Sequence, residues 1–181
     1  NPDLGLGGGV SGAIRDACGG HPFQVEVREQ LAEEFDHPLE PSDCLSTSGG
    51  TSSAFRWVLH VASVDYRKPD PQTGGASGPN RIRACTQAFL EEAIEVAEAH
   101  DLSGRFVLAT PLLGAGHGGL GPILAMDVMC EAMKRFLRQS PRNQETLAKL
   151  VIVLPKEQDA RAFAHAASKH GLPIDGGAPP A

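Results

Sequence analysis

Long apolar runs are missing from this chain. No stretch approaches the roughly eighteen residues that a membrane-crossing helix needs, and the N-terminus has no signal-like pattern, so neither a membrane partner nor export is indicated and a cytoplasmic location is expected. Cysteine is sparse as well. The four present, Cys18, Cys44, Cys85 and Cys130, lie far apart and form no C-x-x-C pair, which gives no support to a zinc site or a redox motif. They read as reduced thiols, and neither a metal nor a cofactor is expected. Positive charge is in deficit, with 16 Lys and Arg against 22 Asp and Glu and a net charge of −6. Bulk DNA or RNA binding needs clustered Lys and Arg, so it is not expected here. Internal repeats are absent too. At 181 residues and 41% hydrophobic, the chain has the length for one sizeable core. A single domain over residues 1–170 is expected, with the Gly- and Pro-rich residues 171–181 a disordered tail.

Glycine is what the chain has in plenty, and it is concentrated. Residues Pro111 to Pro122, PLLGAGHGGLGP, hold five glycines between a strand-like run, Phe106 to Thr110, and a helix-like run, Ile123 to Leu137. Such a turn lets the backbone approach a ligand and aims N–H groups at it, with the helix N-terminus adding partial positive charge. No Lys or Arg occurs between Phe106 and Met133, so an anion here would be held by amide dipoles alone. Residues Asn1 to Ile14, NPDLGLGGGVSGAI, repeat the arrangement, with Gly7, Gly8, Gly9 and Gly12 ahead of a short helix and no basic residue before Arg15. Each loop alone is equally compatible with a flexible surface turn. Two uncharged cradles together point to a ligand with two phosphates.

The remaining elements follow from periodicity. A helix over Gly12–Cys18, with Ser11 as N-cap, ends at Gly19-Gly20, and Pro22 opens a second with Phe23, Val27, Leu31 and Phe35 along one stripe. Cys44–Ser48 is a short strand and Phe55–Val64 a long buried one. His60, inside the latter, reads as a hydrogen-bonded core residue. Asp65–Asn80 is a Pro- and Gly-containing loop, a candidate lid. Arg81–His100 is an amphipathic helix with Ile82, Cys85, Phe89, Ala93, Val96 and Ala97 inward and its glutamates a solvated surface. Arg105–Thr110 is a strand, Ile123–Leu137 a helix, Arg138–Glu145 a polar link. Leu150–Leu154, LVIVL, is a strand covered on both faces, and Glu157–His170 a last helix. Alternating strands and helices predict an α/β fold, a three-layer α/β/α sandwich with a mixed, mostly parallel sheet and both glycine loops on one rim.

The first loop resembles that of the macrodomain family, N-x-x-L-x-x-G-G-G-V-x-G-A-I, matched in register by Asn1, Leu4, Gly7, Gly8, Gly9, Val10, Gly12, Ala13 and Ile14. Pro111, Gly114, Gly116 and Gly119 fit the family's second loop, and WVLHV, Trp57–Val61, its central strand. The resemblance covers Asn1 to about Lys169 and implies that the chain binds ADP-ribose or an ADP-ribosylated protein. It implies ligand contacts from Asn1, Gly7, Gly8, Gly9, Val10, Ser11 and Gly12 in the first loop, and from Leu113, Gly114, Ala115, Gly116, His117, Gly118 and Gly119 in the second. Asn1 matches an Asn that contacts the distal ribose. The family's upstream strands, with an Asp that reads adenine, have no counterpart in this sequence.

Two functional classes stay open, a reader of ADP-ribose and a mono-ADP-ribosyl hydrolase acting on proteins or on O-acetyl-ADP-ribose. Many hydrolysing members carry Asp where this chain has Ser11, and a serine is a poor base. The aromatic residue that often covers the distal ribose in the second loop is replaced by His117 and Gly118. Asn1 and His117 are the candidate catalytic residues, His117 as a base or as a hydrogen-bond donor. A rival reading is a Rossmann-type dinucleotide domain, since Gly114, Gly116 and Gly119 satisfy G-x-G-x-x-G. Its ribose-binding acid should lie about twenty positions on, whereas Glu157 and Asp159 lie about twice as far. A Walker-type loop would need Gly-Lys-Ser/Thr, which is absent.

Overall fold

The computed structural model describes residues 1–175. Helix α1, Gly9–Ala17, and helix α2, His21–Glu34, come first, the latter with Pro22 in its opening turn, where a missing N–H costs nothing. Strands β1, Leu45–Ser48, and β2, Trp57–His60, follow as an antiparallel pair with Leu45 opposite His60. After the segment 61–78 comes the longest helix, α3, Pro79–Ala99, then strand β3, Val107–Pro111, and helix α4, Pro122–Gln139. A short helix α5, Pro141–Thr146, leads to strand β4, Lys149–Val153, and helix α6, Glu157–Lys169. Strands β3 and β4 pair in parallel, Val107 opposite Lys149 and Pro111 opposite Val153.

The fold is α/β with three layers, and the strand residues show why. Side chains alternate across a strand. Accordingly Val58 packs into a core with Leu4, Leu6, Cys18, Phe23, Val27 and Leu45, under α1 and α2. Its neighbour Leu59 packs the other way, onto Ile82, Phe89, Met129 and Phe136 from α3 and α4. Leu108, Leu150 and Ile152 of the second ladder join that same α3–α4 core.

One ladder is parallel and one antiparallel, where a mostly parallel sheet is expected. The link from Gly49 to Arg56 is too short for a helical crossover, so β1 turns back onto β2. Among the described residues no ladder joins the two pairs. The outer face of β3–β4 also differs from the expected double cover, with Val107 61% and Val153 58% exposed. The long strand expected over Phe55–Val64 is confined to Trp57–His60, and the polar link after α4 contains α5. That helix is capped by the Ser140 hydroxyl, which accepts from the Arg142 amide at 3.2 Å, and is pinned by Asn143 Nδ2 donating to the Phe136 carbonyl at 2.8 Å. After α6, Leu172 packs onto the larger core and its amide reaches the Ala167 carbonyl at 2.9 Å. Residues 176–181, the end of the expected disordered tail, lie outside the described residues.

Among the described residues no helix is long and apolar enough to cross a membrane. Phe136, 1% exposed, fills the space between α4 and the α3 face. Phe136→Ala is expected to cost about 3–5 kcal/mol, read as a lower midpoint in urea denaturation.

Candidate functional site

The first glycine loop enters α1 through a backbone that only local clamps explain. Leu4 has φ +45°, unusual for a side-chain-bearing residue, yet is 2% exposed. Gln24 of α2 holds it there. Its Nε2 donates to the Leu4 carbonyl at 2.8 Å, and its Oε1 accepts the Leu6 amide at 2.6 Å. Asn1 closes the turn ahead of it, donating from Nδ2 to the Gly5 carbonyl at 2.8 Å and accepting the Gly5 amide on Oδ1 at 3.1 Å. Beyond the clamp, Gly7, Gly8, Gly9, Val10 and Ser11 are exposed. Gly12 turns inward, close against the Gly7 backbone.

The second loop divides the same way. Leu113 is core, and Gly114 is buried at φ +77°, so close to α3 that a Cβ there would lie 2.7 Å from Ile82 Cδ1. Gly118 is buried too, and its Cβ would meet the Gly114 carbonyl at 2.7 Å. Gly119 and Leu120 direct their amides back to the Gly116 and Gly114 carbonyls at 3.2 Å each. Gly116 and His117 form the exposed crest, with Ala115 half-buried beside them, and a Cβ on Gly116 would meet nothing within 4 Å.

The amides of these crests are left over from the backbone pairing. Among the described residues no backbone hydrogen bond engages the N–H of Gly8, Gly9, Val10 or Ser11, nor that of Ala115, Gly116, His117 or Gly118. The N-caps of α1 and α4 are Gly8 and Gly121, and neither helix start is capped by a side chain, Ser11 included. Two runs of four donors, each leading into a helix N-terminus, form the kind of arrangement that holds anions.

Residues 65–78, the candidate lid, are tied to the second loop. Ser77 donates its amide to the Gly118 carbonyl at 3.0 Å, Asp65 donates its amide to Ala76 at 2.8 Å, and Asp70 Oδ1 accepts the amides of Gln72 and Thr73 at 3.0 and 2.9 Å. Arg67 joins this segment to the first loop, with Nε on Asp65 Oδ1 at 3.2 Å and Nη1 3.3 Å from Asp3 Oδ2. Arg81 lies 3.9 Å from the other Asp65 oxygen and donates to the Ala62 carbonyl at 3.0 Å. Burial works to raise the Asp65 carboxyl, but the Arg67 amide and guanidinium bonds, with the charges of Arg67 and Arg81, outweigh it and hold it below its ordinary range.

His60 lies beneath, hydrogen-bonded from Nε2 to Thr47 Oγ1 at 3.0 Å and 6.2 Å from the Phe23 ring. Burial lowers its pKa to about 4, so it is a neutral core residue. All four cysteines are free thiols, with burial pushing Cys85 up to about 12. No cluster of three His, Cys, Asp or Glu groups suited to a metal occurs among the described residues.

Sequence reasoning missed Gln24, Asp65 and Ser77. Gln24 stands beside Phe23 on α2, off the apolar stripe, and a polar residue there gives no sign that it faces a distant loop. A carboxylate with a lowered pKa stabilises the fold above its unfolded pKa, and that contribution fades as pH falls through the folded value. Thermal stability is therefore expected to drop below about pH 4, and Asp65→Asn should flatten that acid limb. At neutral pH the variant should lose about 1–3 kcal/mol, because the amides and guanidinium that Asp65 accepts are left without their charged partner.

A family model described as Macro domain matches residues 1–129. A variant of the Oceanobacillus iheyensis macrodomain superposes with a TM-score of 0.72 at 19% identity, covering 93% of this chain and 77% of that one. A second variant of it, with ADPR, gives 0.72 at 19%, covering 93% and 81%. The Trypanosoma brucei macrodomain in complex with ADP-ribose gives 0.64 at 20%, covering 91% of this chain and 59% of that one. No curated protein matches. At these identities the likeness to solved structures is one of fold, while the family model takes in both glycine loops and runs into α4, which removes the Rossmann alternative: the chain belongs to the macrodomain family.

Proposed function

We propose that this macrodomain binds ADP-ribose, free or attached to a protein, with the diphosphate between the two glycine crests. The observation that carries this is the pair of unengaged amide runs, Gly8 to Ser11 and Ala115 to Gly118, each at or approaching a helix start. Solved macrodomains of the same fold are described with ADPR and with ADP-ribose bound. Asn1 is assigned to the distal ribose and His117 to the rim beside it. Calorimetric titration is the test. ADP-ribose should bind at micromolar concentration or tighter and more tightly than NAD, and equal or tighter binding of NAD would sink the reading. Gly8→Glu and Gly116→Val should abolish binding while thermal unfolding moves little, since both positions face open space at ordinary backbone angles.

We propose further that the domain is a binder whose hydrolysis, if present, is slow. A positioned general base is worth about a hundredfold or more, and Ser11, exposed on the first turn of α1, is a poor one where other members carry Asp. His117 is the one imidazole on either crest. Release of ADP-ribose from a protein modified on carboxylates should therefore be slow and fall further in His117→Ala. Rapid release that survives this substitution would place the catalytic group elsewhere.

A further inference from the structure

The chain has one tyrosine, and it stands beside the crest of the second loop. Tyr66 is 63% exposed, which by itself says little, since scattered surface aromatics are normal. Its placement says more. Both chain neighbours are fixed: Asp65, 4% exposed, is bound through its amide to Ala76 and through its carboxylate to Arg67 and Arg81, and Arg67 reaches Asp3 in the first loop. From this pinned backbone the side chain extends to the second loop, where its hydroxyl lies 3.5 Å from the His117 carbonyl, a long and weak contact. The ring thus stands at the crest of the second loop, beside the amide run Ala115–Gly118 and next in the chain to the arginine that holds the first loop, with most of its surface open.

We infer that Tyr66 is a specificity-determining residue of this site, its ring packing against the C–H face of the sugar beyond the second phosphate. This rests on the ADP-ribose reading above. Asp3, which ties Arg67 down, is two residues from Asn1, the residue assigned to the distal ribose, so the ring stands at that end of the ligand. A sugar's apolar face is suited to an aromatic ring while its hydroxyls remain turned to water. The exposed ring gains most when a ligand covers it, because a large aromatic has much area to remove from solvent. The arrangement supplies from residues 65–78 the aromatic cover that His117 and Gly118 do not provide.

The test compares ADP-ribose with ADP, which lacks the distal ribose, on the full chain and on Tyr66→Ala and Tyr66→Phe. Tyr66→Ala should weaken ADP-ribose about five- to tenfold and leave ADP within about twofold, with thermal unfolding unchanged. Tyr66→Phe, which keeps the ring, should retain most of the affinity. Because Tyr66 is the sole tyrosine, selective ring labelling yields one residue's NMR signals, and these should shift on adding ADP-ribose and much less on adding ADP. Equal losses for both ligands, a Phe variant as weak as the Ala variant, or an unmoved ring signal would overturn the assignment while leaving ADP-ribose binding intact. Failure of the unsubstituted chain to bind ADP-ribose at all would remove both readings together.

Discussion

The bond from the Ser77 amide to the Gly118 carbonyl holds the rim in one piece. It can form only because three glycines bring the backbones together. A Cβ on Gly75 would lie 2.7 Å from the Gly118 carbonyl, one on Gly118 would lie 2.8 Å from Ser77 Cβ, and one on Gly114 would strike Ile82. With the Gly118 carbonyl committed to Ser77, and those of Gly114 and Gly116 to the Leu120 and Gly119 amides within the loop, its crest is left to present amides. The first loop reaches a similar state by a different route, through Gln24 beneath Leu4 and Asn1 across Gly5. Arg67 then links the two constructions through Asp3 and Asp65.

Glycine therefore serves two purposes in these loops that the sequence does not distinguish. Gly12, Gly114 and Gly118 are packing residues facing the interior, whereas Gly8, Gly9 and Gly116 face open space. Both kinds contribute equally to a glycine-rich pattern, so the whole set reads as one cradle. Periodicity carries the helices well, because α2, α3 and α4 each bury a stripe that repeats every three or four residues. It fails for α5, a helix of six residues made by a serine cap and a buried Asn143 rather than by an apolar face. It fails again at LVIVL, where a continuous apolar run implies cover on both faces while β4 leaves Val153 open.

The segment 65–78 was the least legible part of the site. Prolines and glycines mark it as a loop, yet its order comes from side chains that bind its own backbone, Asp65, Asp70 and Thr73, and from contact with a loop far along the chain. No spacing rule encodes such contacts. Tyr66 takes its significance from the same geometry, since an isolated tyrosine in a polar loop carries no signal until its neighbours are seen to be fixed.

An anion site of the proposed kind, built from peptide dipoles in a chain of net charge −6, would have a kinetic consequence. Cation-lined clefts draw anionic ligands in from a distance and gain encounter rate at low salt. Peptide dipoles act only at contact, and the surrounding molecule repels a dianion on approach. Association at the proposed site would be unassisted by long-range attraction, and the lifetime of the bound state would become the quantity that discriminates one nucleotide from another. Such a receptor would sample slowly and sort by departure, and added salt, by screening the repulsion, would speed its encounters.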